Sequence, residues 1–464
     1  MLGIFYTIYT NTPPALAQTP ETLAQNPQAI ALTLDATTQN NTGIHPAPVT
    51  IIAKEHPLLN NFSLHSYRAF AADSKGNMQP IPFQIDEKDP WSDYILPKGK
   101  ENNQRFSNGI FDNEDELVFM GKDVGSDVEP SNWGFQKPSI LFKINFTLKS
   151  QKNTAANGAI FVGIYFQLPP KQASSIRNYV VWNEKAAEVT SSRYRYRFDP
   201  KNYLVVRGID VGRGKNADNQ YIYEEIISSS TFALNIDLKY FVTVSVDHRD
   251  LDSKLDAYKA GPIRNIIRVS FTYKFLNINF ELGMYTEVSF FENAVFLPAV
   301  LYNPVDGTKR LNKGSGFYYG FNFKNKPSHM GITSNMPKYD PGIFSGILSR
   351  LQKSPTYWLT GMNKTEMIYM EVKPSEKLLA SGSIPYYFEQ EITGTEAQEQ
   401  YKKSKKRDLG SGPINMAMYF DLTKFTEGDH MMAFQLFFEN QSNSEMLEQF
   451  KKLDLWASKV NRVY

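Results

Sequence analysis

From Val49 onward the chain is written in short runs whose apolar and polar residues alternate. VTIIA, SLHSYRAFAA, IPFQID, ELVFMG, SILFKINFTLK and AIFVGIYFQL follow one another, with turn clusters such as DSKGN, PKGKENNQ and KNTAANG between them. A period of two puts successive side chains on opposite faces of a pleated strand, whereas one face of a helix needs a period near 3.6. The 32 Phe and 26 Tyr reinforce the reading, because rings pack well on a strand surface. The expected fold is therefore all-β: antiparallel β-sandwich domains, enlarged to a supersandwich where the strands lengthen, with one C-terminal helix.

The strand series breaks at LPPKQASS, which separates an N-terminal β-sandwich over residues 48–170 from a larger β domain over 171–443. The second series carries longer alternating stretches, among them SSRYRYRFD, YLVVRGIDV and IRNIIRVSFTYKFLNINFELGMYTEVSFF. No fixed period of about 20–50 residues recurs, which argues against a solenoid or propeller. Residues 444–464 are expected to form a helix packed on the sheet, since Met446, Leu447, Phe450, Leu453, Leu455 and Trp456 recur at three- and four-residue spacing. The charged, Gly-terminated stretch 393–412 reads as an exposed loop.

At the other end, residues 1–17 close on Ala15-Leu16-Ala17, a small-residue site of the kind cleaved from secretory signals, here before Gln18. Residues 18–47 are rich in Gln, Asn, Thr and Pro and read as a disordered leader. No later segment reaches the roughly 18 uninterrupted apolar residues of a membrane helix, so no membrane span is expected. The implied location is periplasmic or extracellular. With no cysteine, disulfides, thiolate metal sites and thiol nucleophiles are excluded. Fifty basic against 48 acidic side chains leave no broad basic field for nucleic acid.

Four blocks in this order, PIPFQIDEKD, GIFDNEDELVFMGKDVG, AGPIRNIIRVSFTYKF and SIPYYFEQE, resemble a group of secreted bacterial β-rich proteins of unassigned activity. The resemblance implies export and a β-rich fold, and it supplies no mechanism.

Two clusters are candidate sites. In the acidic loop, Asn108, Asp112, Glu114 and Asp115 offer part of the hard-oxygen set that calcium requires. The register of a helical calcium loop fails, because Gln104 and Phe106 stand where the first two carboxylates belong, so calcium would bind weakly; no other cofactor is indicated. The alternative is that Asp112 or Asp115 holds backbone amides of the turn. A glycosidase would instead pair Asp86 or Glu87 with Asp115 or Glu116 across one bond.

The second cluster is SRYRYRFD, where strand periodicity puts Arg193, Arg195 and Arg197 on one face and Tyr194, Tyr196 and Phe198 on the other. Arg207, Arg264 and Arg268 could extend a surface that matches the repeat of an anionic polymer. Cross-strand pairing with acids such as Glu224 and Glu225 is the structural alternative. The histidines show no zinc spacing, and nucleophile-elbow, phosphate-loop and dinucleotide motifs are missing from the sequence.

Trp91, Trp133, Trp182 and Trp358 are candidate stacking platforms. The favoured function is therefore that of an exported protein binding a glycan or an envelope protein without catalysis. The rivals are a carbohydrate-active hydrolase or lyase on a supersandwich scaffold and a structural subunit of a surface assembly.

Overall fold

The alternation in SRYRYRFD is realised as the strand Tyr194–Asp199, whose Tyr194, Tyr196 and Phe198 are buried while Arg195, Arg197 and Asp199 stay half-exposed. The computed structural model describes residues 48–148, 156–170, 178–239, 243–247, 250–275, 278–303, 306–313, 315–325, 329–332, 349–350, 357–363, 366–380, 386–389, 414–439 and 455–462. The cleavage site, the leader and the 393–412 loop lie outside these residues.

Two large antiparallel sheets dominate. One has ten strands among the described residues and is built around Tyr194–Asp199, Asn202–Lys215, Tyr221–Asp237 and Gly316–Phe323. The other has nine and includes Leu251–Ala260, Asn265–Phe275, Ile278–Phe290, Glu366–Pro374 and Gly428–Glu439. Their inner faces share one core, in which Tyr194, Tyr196, Phe198 and Ile209 of the first meet Ile267, Phe290, Met370 and Phe434 of the second. Rings interlock across the gap, with Tyr196 5.3 Å from Phe290 and Tyr319 4.8 Å from Phe434 between centroids. This is the expected supersandwich, and its aromatic content is what fills the wide space between two long sheets.

The N-terminal part is a smaller sandwich. A three-stranded sheet in the order Pro48–Ile52, Glu116–Met120, Gln84–Asp86 faces a seven-stranded sheet built on Ile140–Leu148 and Ala156–Ile164. Leu117 and Phe119 enter the core between them, beside Tyr67, Phe142 and Ile160. The central strand is buried on both faces, because Val118 and Met120 point the other way, into a second core with Ile263, Phe291, Tyr369 and Phe437 of the large sandwich. A strand sealed on both sides reads as a continuous apolar run, as ELVFM does.

The chain's far end departs from expectation. Leu455–Arg462 is a strand, antiparallel to Ile140–Leu148 with a bulge between Ala457 and Lys459, and forms the edge of the seven-stranded sheet. The helical spacing at Met446, Leu447, Phe450 and Leu453 falls outside the described residues. Within them the exposed ladder of Ile140–Leu148 supplies backbone partners that outweigh a local helical pattern.

Candidate functional site

Three of the four sequence blocks meet at one place. Strand periodicity puts Gln84 and Asp86 on one face of Gln84–Asp86, and Glu116 on the same face of Glu116–Met120 as Val118 and Met120. Asp86 lies directly opposite Glu116 in the ladder. Both carboxylates therefore look toward the large sandwich, where Arg264 of GPIR enters between them. Arg264 Nε donates to Asp86 Oδ2 at 2.7 Å, and its Nη2 donates to Glu116 Oε2 at 2.6 Å.

Lys259 stands 2.9 Å from Asp86 Oδ1, Lys88 stands 2.6 Å from Glu116 Oε1, and Tyr94 Oη donates to Glu116 Oε2 at 3.0 Å. Gln84 completes the lock by donating to Asp86 and accepting the Arg264 backbone N–H at 3.1 Å. A Cβ at Gly261 would come within 2.0 Å of Gln84 Oε1, so the glycine of GPIR permits this approach.

Burial by itself would raise the Asp86 carboxyl, but Arg264 and Lys259 outweigh it and hold it at about 2. Burial at Glu116 is likewise overcome by Arg264 and Lys88, which keep it below the usual carboxylate range. Asp86 is 0% and Glu116 4% exposed. A hydrolytic pair must face one bond from opposite sides; these two share one guanidinium and are closed to solvent. What the arrangement does chemically is clamp the small sandwich to the large one through opposite charges.

The four residues considered for calcium are engaged in the turn itself. Asn108 donates to Asp112 Oδ2 at 2.8 Å and accepts from the Ile110 N–H. Asp112 accepts the Glu114 N–H, and Asp115 accepts the N–H groups of Asp112 and Lys88 at 3.0 and 2.9 Å. Glu114 turns outward to Lys54, 3.8 Å away. The amide-holding alternative is thus the observed geometry, and no group of three or more acidic or histidine side chains with metal-holding geometry occurs among the described residues. Burial pushes Asp115 up to about 7 against its backbone hydrogen bonds. Glu87, adjacent in sequence to the clamp, accepts from Ser107 Oγ and the Gly109 N–H and holds the other end of the loop.

The arginines pair across strands. Arg195 and Arg197 both bind Asp210, which is buried; Arg197 Nη2 also donates to Glu225 at 2.8 Å. Arg193 reaches Glu439 at 2.7 Å and Arg207 reaches Asp199 at 3.0 Å. Arg264 and Arg268 do not extend this face. Both are buried and belong to the nine-stranded side, where Arg268 forks onto Glu287 at 2.6 and 3.0 Å. The extension fails because a period-two pattern orders residues within a strand and says nothing about which sheet a distant strand joins.

Among the tryptophan platforms, Trp133 packs on Phe70 and Phe135, and Trp182 packs on Phe198 and Tyr258. The side chain of Trp358 lies outside the described residues. Trp91 is different: it is 58% exposed on the tight turn Asp89-Pro90-Trp91-Ser92-Asp93. Asp89 Oδ1 accepts the N–H groups of Trp91 and Asp93, Ser92 takes a left-handed φ of 69°, and Asn103 donates to Asp89 Oδ2. The indole rests edge-on against Phe106 at 5.1 Å, and Arg105 covers that ring at 4.8 Å. Asn102, Gln104 and Arg105, in the segment around Phe106, are exposed.

A separate open cleft of about 520 Å³ lies at Gly99, Lys100, Glu184, Lys201, Tyr203 and Lys254, and includes neither the acidic loop nor the arginine face. Its walls come from four stretches far apart in the chain, so no local pattern announces it.

No protein-family model matches the chain, and no curated protein matches it in sequence. Among solved structures, it is similar to an alpha-mannosidase from Enterococcus faecalis V583 at 7% identity and a TM-score of 0.42, over 91% of this chain and 45% of that one. A Glycosyl Hydrolase Family 38 protein from Enterococcus faecalis matches at 7% identity and a TM-score of 0.40, over 91% of this chain and 47% of that one. The chain thus spans less than half the length of either.

Proposed function

We propose that this chain is an exported glycan-binding protein, with Trp91 as its stacking platform. The observation that carries the reading is an indole left 58% exposed on a turn that Asp89 and Asn103 hold by hydrogen bonds and Phe106 supports. A large apolar side chain fixed in the open without a packing partner on its outer face is suited to a flat apolar surface that also has a polar rim. The C–H face of a pyranose is such a surface, and the exposed Asn102, Gln104 and Arg105 of the segment that carries Phe106 offer amide and guanidinium donors for its hydroxyls. Preorganisation lowers the ordering cost of binding. The clustered carboxylates Asp86 and Glu116 are committed to Arg264, which favours binding over hydrolysis on this reading.

An oligosaccharide array followed by calorimetry tests it. Trp91→Ala should weaken binding by about tenfold or more while leaving the melting temperature near that of the wild type, as expected for an exposed anchor. Undiminished binding by the variant, or release of reducing ends from a bound oligosaccharide by the wild type, would overturn it. Export rests on Ala15-Leu16-Ala17; protein recovered from its own cells should begin at Gln18.

A further inference from the structure

We infer that the cleft at Lys100, Lys201 and Tyr203 is a subsite for an acidic sugar, one bearing a carboxylate or sulfate, on the glycan that Trp91 stacks. The inference rests on the glycan reading above and adds the ligand's charge. The cleft sits where strand ends of the two large sheets come together. Pro200 and Lys201 form the turn between the strands Tyr194–Asp199 and Asn202–Lys215, while Ser253 and Lys254 belong to Leu251–Ala260 of the opposite sheet. Asn202 ties the two walls together, donating to the Leu251 carbonyl at 2.7 Å and accepting from Ser253 Oγ at 2.7 Å. The third wall is the short strand Lys98–Gly99, paired with Ala257 and Tyr258. Gly99 has φ +105°, and a Cβ there would lie 2.3 Å from the Asp256 carbonyl, so only glycine allows this close docking.

Three ammonium groups and one carboxylate line this space. The carboxylate, Glu184, already accepts from Tyr258 Oη at 2.8 Å. Lys254 has the buried Asp256 4.0 Å away. Lys100 and Lys201, both exposed at the rim, have no carboxylate within ion-pairing distance among the described residues. Tyr203, half-buried against Phe198 with its ring centroid 5.3 Å away, supplies an aromatic wall to the cleft. Lysine ammoniums on an aromatic-walled cleft suit an anion carried by an apolar-faced ring better than a bare inorganic ion.

The segment 98–106 links this cleft to the platform: Gly99 and Lys100 form its rim, and Phe106 supports Trp91.

Calorimetry of the full chain with matched oligosaccharide pairs, differing only in whether C6 is a carboxylate or a hydroxymethyl, tests this, with inorganic phosphate as the control. The wild type should bind the acidic member about tenfold more tightly at low salt, and the advantage should shrink as salt is added. Lys100→Gln with Lys201→Gln should abolish that advantage without changing the affinity for the neutral member, and Trp91→Ala should weaken both members alike. Equal binding of the two members by the wild type, or a preference that survives the double substitution, overturns the acidic-sugar subsite and leaves the Trp91 platform standing. Loss of the acid preference in the double variant with no effect of Trp91→Ala supports the subsite and removes the platform. Phosphate binding as tight as the acidic oligosaccharide, or binding of neither member, overturns the inference.

Discussion

Residue by residue, the acidic groups of this chain divide into two populations whose environments push them in opposite directions. Asp86 is held at about 2 because Arg264 and Lys259 outweigh its burial. Its contribution to stability is present above the ordinary carboxylate value of about 3.9 and is lost as the pH falls through that value toward the folded one. Asp115 and Asp123 are pushed up by burial to about 7 and about 6, the latter against a 2.6 Å hydrogen bond from Tyr179. In the interval between the ordinary value and these raised ones, the folded chain holds protons that the unfolded chain has released, so stability falls as the pH rises through it. The melting temperature should therefore peak near pH 4–5, roughly midway between the two populations, and decline on both sides. Asp123→Asn should flatten the decline toward neutrality. A wild-type profile rising steadily from about pH 4 to 8 would contradict the assignment.

At the level of elements, the strand Tyr194–Asp199 shows how one pattern serves two ends. Its aromatic face fills the core, and its arginine face is neutralised by neighbours in the next strands, Asp210 and Glu225. Asp210 is buried and depends on both guanidiniums. Replacing Arg195 and Arg197 with Gln together should cost about 1–3 kcal/mol, less than for a fully buried pair because the arginines are half-exposed. Adding Asp210→Asn should restore most of the loss, since the uncompensated charge is then gone. Denaturant titrations of the double and triple variants decide it: an unaltered midpoint in the double variant would show that the pairing holds nothing. Alternation was legible in the sequence. The partners were legible only in part: Glu225 stood out among the acids of YIYEEII, whereas Asp210 is set directly opposite Arg195 by a ladder whose register shifts near the turn defeat counting along the hairpin.

On the scale of the whole molecule, the buried clamp of Asp86, Glu116 and Arg264 joins the two sandwiches and makes one body of them. Arg264→Met should cost about 3–5 kcal/mol, because two carboxylates would stay buried with only Lys259 and Lys88 to answer them. Lysine should not rescue it, since one ammonium cannot fork to two carboxylates on fixed strands. A denaturant midpoint within error of the wild type would show that the apolar contacts of Val118 and Met120 alone join the halves.

What the sequence by itself determined follows from short-range periodicity: most of the strands, the faces of those strands and the all-β class, while the acidic loop was left between a calcium site and carboxylates holding a turn. It also brought IPFQID, DELVF and GPIR into view as blocks without saying that they touch. Which strands neighbour one another, that Arg264 closes on Asp86, that Leu455–Arg462 returns to the first sheet, and that Lys100 and Lys201 share a cleft were decided only in three dimensions. The physical reason is the range of the forces involved. Alternation is enforced between adjacent residues by backbone geometry, whereas contacts over 100 or more positions arise from burying whole sheet faces, to which every strand contributes at once.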